Sequence, residues 1–238
     1  MLFRSVRTGT AWRLIPKDLP PWTDVYATFR RWAAKDLFEQ MHDRLRAMWR
    51  TREHRAPEPT GAIIDSQSVK TSAQGGPKGY DAGKKVKGRK RHLLTDTLGL
   101  VLAVFIQTAD VQDRDGARPL LERGVSKHPT ISKVYADSAY EGARVRQVAQ
   151  DNNLSVEIVR RPSNRTTGRW EDPQIPLLPQ PRFVVLPKRW IIERTNAWND
   201  RHRRLTKDYD RRMDVTESWI WLAEGRLLAR RLTGVEGA

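Results

Sequence analysis

The sequence predicts a mixed α/β domain behind a small helical unit. Three observations carry that expectation. Aromatic and aliphatic residues recur at intervals of three and four before residue 55. A polar, proline-bearing break follows, and short apolar runs then alternate with helical patterns in the order strand, strand, strand, helix, strand, helix, strand.

In "DLPPWTDVYATFRRWAAKDLFEQMHDRLRAMWR", Trp22, Tyr26, Phe29 and Trp32 mark the buried stripe of one helix, and Leu37, Met41, Leu45 and Met48 that of the next. Residues 1–55 are therefore read either as a helical cap packed on the rest or as a DNA-binding unit using Arg30 and Arg31 in a helix-turn-helix manner. The stretch "TREHRAPEPT" is a linker by composition, and residues 56–238 form the second unit. There, "AIIDSQ" is the first strand. The run "RKRHLLTDTLGLVLAVFIQT" gives two more, joined by a turn at Asp96 to Gly99. "DRDGARPLLERG" is a helix with Asp115 as its cap, "ISKVYAD" the fourth strand, "EGARVRQVAQDNN" a helix and "SVEIVRR" the fifth strand. An irregular, proline-rich connection spans 161–188. "WIIERTNAWNDRHRRLTKDY" and "TESWIWLAEGRLLARRL" close the chain as helices, the latter capped by Thr216. Trp22, Trp32, Trp219 and Trp221 are expected in the core. Trp170, in the irregular connection, is a candidate to stack on a flipped or frayed base.

Charge narrows the partner. Forty-four Lys and Arg against 28 Asp and Glu, a net charge of +16, favour a polyanion, nucleic acid before membrane. No apolar run is long enough to span a bilayer and the start lacks a signal core, so a cytoplasmic, nucleoid-associated protein is expected. With no Cys and no His pairing at ligand spacing, thiolate zinc sites and disulfides are excluded.

Against that positive background, Asp65 ends the first strand and Asp137 the fourth. If those strands are neighbours, two carboxylates meet, and either a cation lies between them or one is protonated. A divalent metal suits phosphodiester chemistry, and Mg²⁺ prefers such oxygens. Glu193 is the candidate third acid; alternatively it is a surface glutamate paired with Arg189 or Arg194. Asp96 is read as structural, Asp113 as an outside candidate, and Glu141 as a supporting acid or a helix-start charge. The run "GKKVKGRKRH" offers Lys84, Lys85, Lys87, Arg89, Lys90 and Arg91 as a flexible arm closing on phosphates. Arg201, Arg203, Arg204 and Lys207 form a second basic cluster.

Four motifs in one order, "IIDSQSVK", "GRKRHLLTDTLGL", "YADSAYEG" and "LPKRWIIERTNAWNDRHRRLTKDY", together with "RTGTAWRLIPKDLPPWTDVYATFRRW", resemble bacterial insertion-sequence transposases of the DDE class, the insertion-sequence five family. The resemblance covers roughly 1–232. It implies a ribonuclease-H-like mixed sheet with flanking helices, and Asp65, Asp137 and Glu193 as catalytic metal ligands. Two Mg²⁺ ions are implied, for which Mn²⁺ can substitute. The implied activity is cleavage at terminal inverted repeats followed by attack of the freed 3′-hydroxyl on target DNA, carried out by a homo-oligomer on double-stranded DNA.

Two departures stand out. The chain opens six residues before "RTGTAWR", where many such transposases carry further helical sequence, so weakened end recognition is expected. Where the broader group has a Tyr and a Lys around the glutamate, Leu186 and Asp200 stand here, leaving Arg189 and Arg201 as the phosphate contacts. The alternatives to a transposase are a non-catalytic, transposon-derived DNA-binding remnant and a host nuclease on the same fold.

Overall fold

The computed structural model describes residues 1–74, 76–159 and 188–234. The connection expected over 161–188, with Trp170 and Leu186, lies outside the described residues except for Lys188.

One mixed sheet organises the chain: β1 (Gly61–Lys70), β2 (Gly79–Asp81), β3 (Val86–Asp96), β4 (Val101–Thr108), β5 (Lys133–Ala136) and β6 (Ser155–Ile158). β3 lies between β1 and β4, antiparallel to both, while β5 pairs parallel with β1 and with β6, so the spatial order is β4, β3, β1, β5, β6. Short β2 continues the β4 side by pairing with Val86 to Gly88. The expected turn between β3 and β4 forms around Gly99, whose φ of 83° suits a residue without Cβ. Asp96 closes it by accepting the Leu98 and Leu100 amides at 2.8 and 2.9 Å.

Strand alternation sends Ala62 and Ile64 to one face and Ile63 to the other. On the first face they pack with Leu94, Leu102 and Val134 under α4 (Asp113–Lys127) and α5 (Ala143–Asp151). On the second, Ile63, Leu93, Val104 and Ile106 meet α1 (Leu2–Thr8), α2 (Trp22–Ala33), α3 (Leu37–Arg52), α6 (Arg189–Asp200), α7 (Arg203–Thr206) and α8 (Met213–Thr233). Val6, Phe29 and Phe38 of the first three helices share that core with Ile192, Leu205 and Trp219. Burial of each such large side chain contributes about 1.5–3 kcal/mol.

The helical stripes lie slightly off their expected positions. On α2 the buried residues are Val25 and Phe29, while Tyr26 and Trp32 remain 41% exposed. On α3 the buried series is Phe38, His42, Arg46 and Arg50, one to two residues round from Leu37, Met41, Leu45 and Met48. The reason is chemical: the arginine stems pack while their heads find acceptors. Arg50 pairs with buried Asp96, which confirms a structural role for that acid, and Arg46 donates to the Pro57 carbonyl at 2.8 Å and to Glu58 at 3.1 Å. Two cap assignments are also corrected. Gln112 precedes α4, and Asp115 lies within its first turn, paired with Arg144. α8 begins at Met213, so Thr216 is internal, its hydroxyl drawn to Asp208 at 2.9 Å. Trp219 and Trp221 are buried as expected.

A ladder of alternating rings and guanidinium groups ties α6 to its neighbours. Arg194 lies 4.6 Å from both Trp190 and Trp198; Arg231 of α8 lies 4.2 Å from Trp198 and 5.6 Å from Trp49 of α3; Arg52 lies 5.5 Å from Trp49. Each contact is worth about 0.5–1 kcal/mol where exposed. Behind it, Glu224 is wholly buried on α8, and burial pushes its carboxyl up to about 8, with Arg231 and Asn199 opposing.

A folded-state value above the unfolded one means that the native chain holds a proton which the unfolded chain has lost, so stability falls as pH rises from about 4.5 to about 8. Denaturant unfolding at about pH 5 and about pH 8 should show a decline of up to about 1.4 kcal/mol per unit that Glu224→Gln flattens.

Candidate active site

Asp65 and Asp137 are aligned by strand pairing. The parallel register of β1 and β5 matches Gly61 with Lys133, Ala62 with Val134 and Ile63 with Tyr135. Each acid stands two residues beyond the last matched pair, so the two sit level on neighbouring strands, about 4.8 Å apart, where the parallel pairing stops. Asp65 does not end its strand as expected but lies midway along β1, paired with Leu93 of β3, because β1 runs on beside β3 to Lys70. Alternation puts both on the face of Ile63, the face that α6 covers. Asp137 caps a short 3₁₀ turn (Ser138–Tyr140), accepting the Ala139 amide at 2.9 Å. Burial pushes the Asp65 carboxyl up to about 6; the Ser66 amide opposes this and the charge of Asp137 adds to it.

Glu193 comes from α6. At about 100° per residue this helix has three faces. Ile191, Ile192, Thr195 and Asn199 enter the core, Trp190, Arg194 and Trp198 form the ladder, and Glu193, Asn196 and Asp200 face the end of β1. Asn196 donates to Asp65 Oδ2 at 3.2 Å, and Gln67 donates to both oxygens of Asp200 at 3.0 and 3.2 Å. An open groove of about 370 Å³ lies between them, lined among others by Asp65, Ser66, Gln67, Lys84, Glu193, Asn196 and Asp200. Lys84 donates its ammonium to the Ser66 carbonyl at 3.1 Å. Asn196 and Gln67 were not singled out in the sequence; the spacing of Asn196 and Asp200 from Glu193, three and seven on one helix, is the signal that marks that helical face.

Arg189 lies 3.6 Å from Asp137 and 3.5 Å from Glu193. Its guanidinium compensates two acids that would otherwise repel. Among the described residues, no three His, Asp or Glu side chains gather tightly enough to ligate one ion. The donor chemistry nevertheless suits a hard divalent cation: carboxylate oxygens only, one of them on a group whose ionisation is disfavoured by burial and by its neighbour's charge. Glu193, 53% exposed, has room to turn toward the strand end.

The first basic run is corrected. The flexible arm expected at 83–92 is the hairpin of β2 and β3, its turn held where Asp81 accepts the Lys84 amide at 2.9 Å. Arg89, Lys90 and Arg91 lie in β3 and are buried. Arg89 donates to Asp208 at 3.0 Å and to Thr216 at 3.2 Å, Lys90 pairs with Asp113 at 2.8 Å, and Arg91 donates to the Leu205 carbonyl at 2.6 Å. None of the three is available to a phosphate. Asp113, paired in this way, is also removed from the candidate acids. In the second cluster, Arg204 is buried against Asp210 at 3.0 Å. Lys84, Lys85, Lys87, Arg201 and Arg203 are exposed and Lys207 is half-buried. Arg30 and Arg31 of α2 differ in setting: Arg30 sits 4.0 Å from Asp214, whereas Arg31 is exposed.

A family model described as "Transposase DDE domain" matches residues 56–224, more than half of the chain. The chain belongs to the DDE transposase family. A second model, "Putative transposase of IS4/5 family", matches residues 1–42. Similarity also extends to a Burkholderia cepacia protein described as "Putative transposase for insertion sequence element IS402", 30% identical over 142 residues. That match takes in 57% of this chain and 60% of the relative. Within this family member, no described helix is long and apolar enough to cross a membrane.

The burial pattern separates structural from exposed cations. Arg89→Ala leaves Asp208 buried and unpaired and should cost about 3–5 kcal/mol in denaturant unfolding. Lys85→Ala should leave the unfolding midpoint unchanged while lowering the salt slope of DNA binding, measured by fluorescence anisotropy.

Proposed function

We propose that the chain cuts DNA at the ends of an insertion sequence and joins the freed 3′-hydroxyl to target DNA, with Asp65, Asp137 and Glu193 as the acids that hold divalent metal, Mg²⁺ first. The observation that carries this reading is the common register of Asp65 and Asp137, with Glu193 brought to the same place by α6 and linked to Asp137 through Arg189. The order β4, β3, β1, β5, β6, with one antiparallel meander and two parallel additions, supports a ribonuclease-H-like domain. Membership of the DDE transposase family and the described role of the relative support transposition as the activity.

Asp65, Asp137 and Glu193 would hold the ions, which when bound supply a Lewis acid beside the attacking and leaving oxygens of an in-line displacement at phosphorus. The remaining work belongs to the chain itself. Asn196 orients the Asp65 carboxylate through its amide. Arg189 keeps Asp137 and Glu193 together before DNA arrives and is placed to turn toward a phosphate once their charge is met otherwise. Lys84 at the groove wall, with Lys85 and Lys87 on the same hairpin, meets the phosphodiester backbone without reading sequence. Arg201, Arg203 and Lys207 extend that backbone contact beyond α6. Two transposon ends must be handled together, so the working form is a homo-oligomer on terminal inverted repeats and target duplex.

The test is cleavage of an end-labelled duplex carrying the element's own terminal repeat, with Mg²⁺ or chelator. Nicking at the repeat boundary should require metal and fall to background in Asp65→Ala, Asp137→Ala and Glu193→Ala, each of which keeps salt-sensitive DNA binding. Nicking that persists in chelator, or in all three variants, overturns the assignment.

A further inference from the structure

A second cleft, of about 970 Å³, opens between α2 and the segment joining α7 to α8, and shares no lining residue with the acidic groove. Its composition differs from both a core defect and a plain basic surface. Trp12, Trp22 and Tyr26 line one side and Tyr209 the other. Tyr26 and Tyr209 are 41% and 39% exposed. Trp12 is fixed from behind: its ring stacks on Trp219 at 5.5 Å and meets the edge of Tyr26 at 5.4 Å.

Cations surround these rings. Arg30, Arg204, Arg211 and Arg212 line the cleft; Asp210 holds Arg204 at 3.0 Å, and Asp214 beside the cleft holds Arg212 at 2.8 Å and lies 4.0 Å from Arg30. Arg211 is the informative one. Its backbone carbonyl accepts from buried Arg89 at 2.8 Å, which fixes the residue in place, while its exposed guanidinium makes no hydrogen bond or ion pair among the described residues. Lys207 lies over the Tyr209 ring at 5.7 Å and Arg13 over that of Trp22 at 5.5 Å, yet Tyr26 and Tyr209 keep much of their surface exposed. Part-exposed rings beside an unpaired guanidinium match the two parts of a nucleotide, base and phosphate. A paired base hides its faces in the stack, so only an unpaired one can use such a surface. The volume lies at the upper end of the range for ligand sites, about 300–1,000 Å³, which favours more than one nucleotide.

The cleft is also tied to the strand of Asp65. Thr71, six residues beyond Asp65, bridges to Asp208, the neighbour of Tyr209. At about 3.3 Å per strand residue the separation is on the order of 20 Å, or roughly six steps of a nucleic-acid strand.

We propose that this cleft binds unpaired nucleotides of a DNA strand, with bases stacked on Tyr26 and Tyr209 and a phosphate met by Arg211. The proposal rests on the reading of DNA as substrate and adds a place for a displaced or single-stranded end. The test is anisotropy of labelled DNA duplexes, blunt or carrying an unpaired tail of about six nucleotides, with circular dichroism to verify folding. The wild type should prefer the tailed duplex. Tyr26→Ala should lose about tenfold in affinity for it, about 1.4 kcal/mol, and little for the blunt one. Tyr26→Phe, which keeps the ring, should behave as wild type. Arg211→Ala, at an exposed side chain, should reproduce the loss even if a tyrosine variant folds poorly. No gain from the tail in the wild type, equal loss on both duplexes, or tighter binding of an RNA tail overturns the proposal. Failure to bind either duplex overturns instead the reading of DNA as substrate.

Discussion

The parallel pairing of β1 with β5 is the constraint on which the rest of the site depends. A parallel pair needs a crossover, and here the meander through β3 and β4 followed by α4 supplies it. Its register then leaves no freedom: with Ile63 opposite Tyr135, Asp65 and Asp137 must stand level on adjacent strands and on one face. A slip of one residue would turn one of the two acids to the face covered by α4 and α5. Holding two carboxylates together costs free energy: burial raises the Asp65 carboxyl, the charge of Asp137 adds to it, and Arg189 lies beside Asp137.

The place of Glu193, the proposed third acid, depends on how α6 is held, and three separate contacts hold it. Ile191 and Ile192 anchor it in the core, the ladder of Trp190, Arg194 and Trp198 joins it to α8 and α3, and Asn196 and Asp200 join it to β1. Asp208 acts similarly for the segment that follows. Its amide donates to the Lys70 carbonyl at 2.9 Å and its carboxylate accepts from Arg89 and Thr216, so the end of β1, the middle of the sheet and the start of α8 are fixed together. Such a buried pair is poor evidence of net stability but a strong constraint on geometry, because losing either partner strands a charge.

Much of this was legible in the sequence because it is local. The main strands in their sequence order, the turn at Gly99 and the position of Asp137 just past β5 follow from periodicity and turn chemistry within short windows, whereas β1 runs five residues beyond Asp65 because β3 continues to pair with it. What was not legible depends on remote partners. Arg89, Lys90 and Arg91 read as part of a phosphate-binding arm because the groups that bury them, Asp208, Asp113 and the Leu205 carbonyl, are far along the chain. The α3 stripe was misplaced for the same reason, since Arg46 and Arg50 count as polar until Glu58 and Asp96 are seen beside them. Thr216 looked like a cap because its sequence context permits one, yet its hydroxyl serves the Arg89 and Asp208 pair. Glu193 was named from its setting and from the family resemblance; Asn196, one turn away, needed the structure.

The proposed activity requires Asp65 and Asp137 to share one divalent cation. The most direct measurement is Mn²⁺ binding followed by electron paramagnetic resonance in the presence of duplex, for the wild type beside Asp65→Asn and Asp137→Asn. Carboxylates that share an ion fail together, so either substitution should abolish the high-affinity bound signal. A signal that survives unchanged when either acid is removed would contradict the claim.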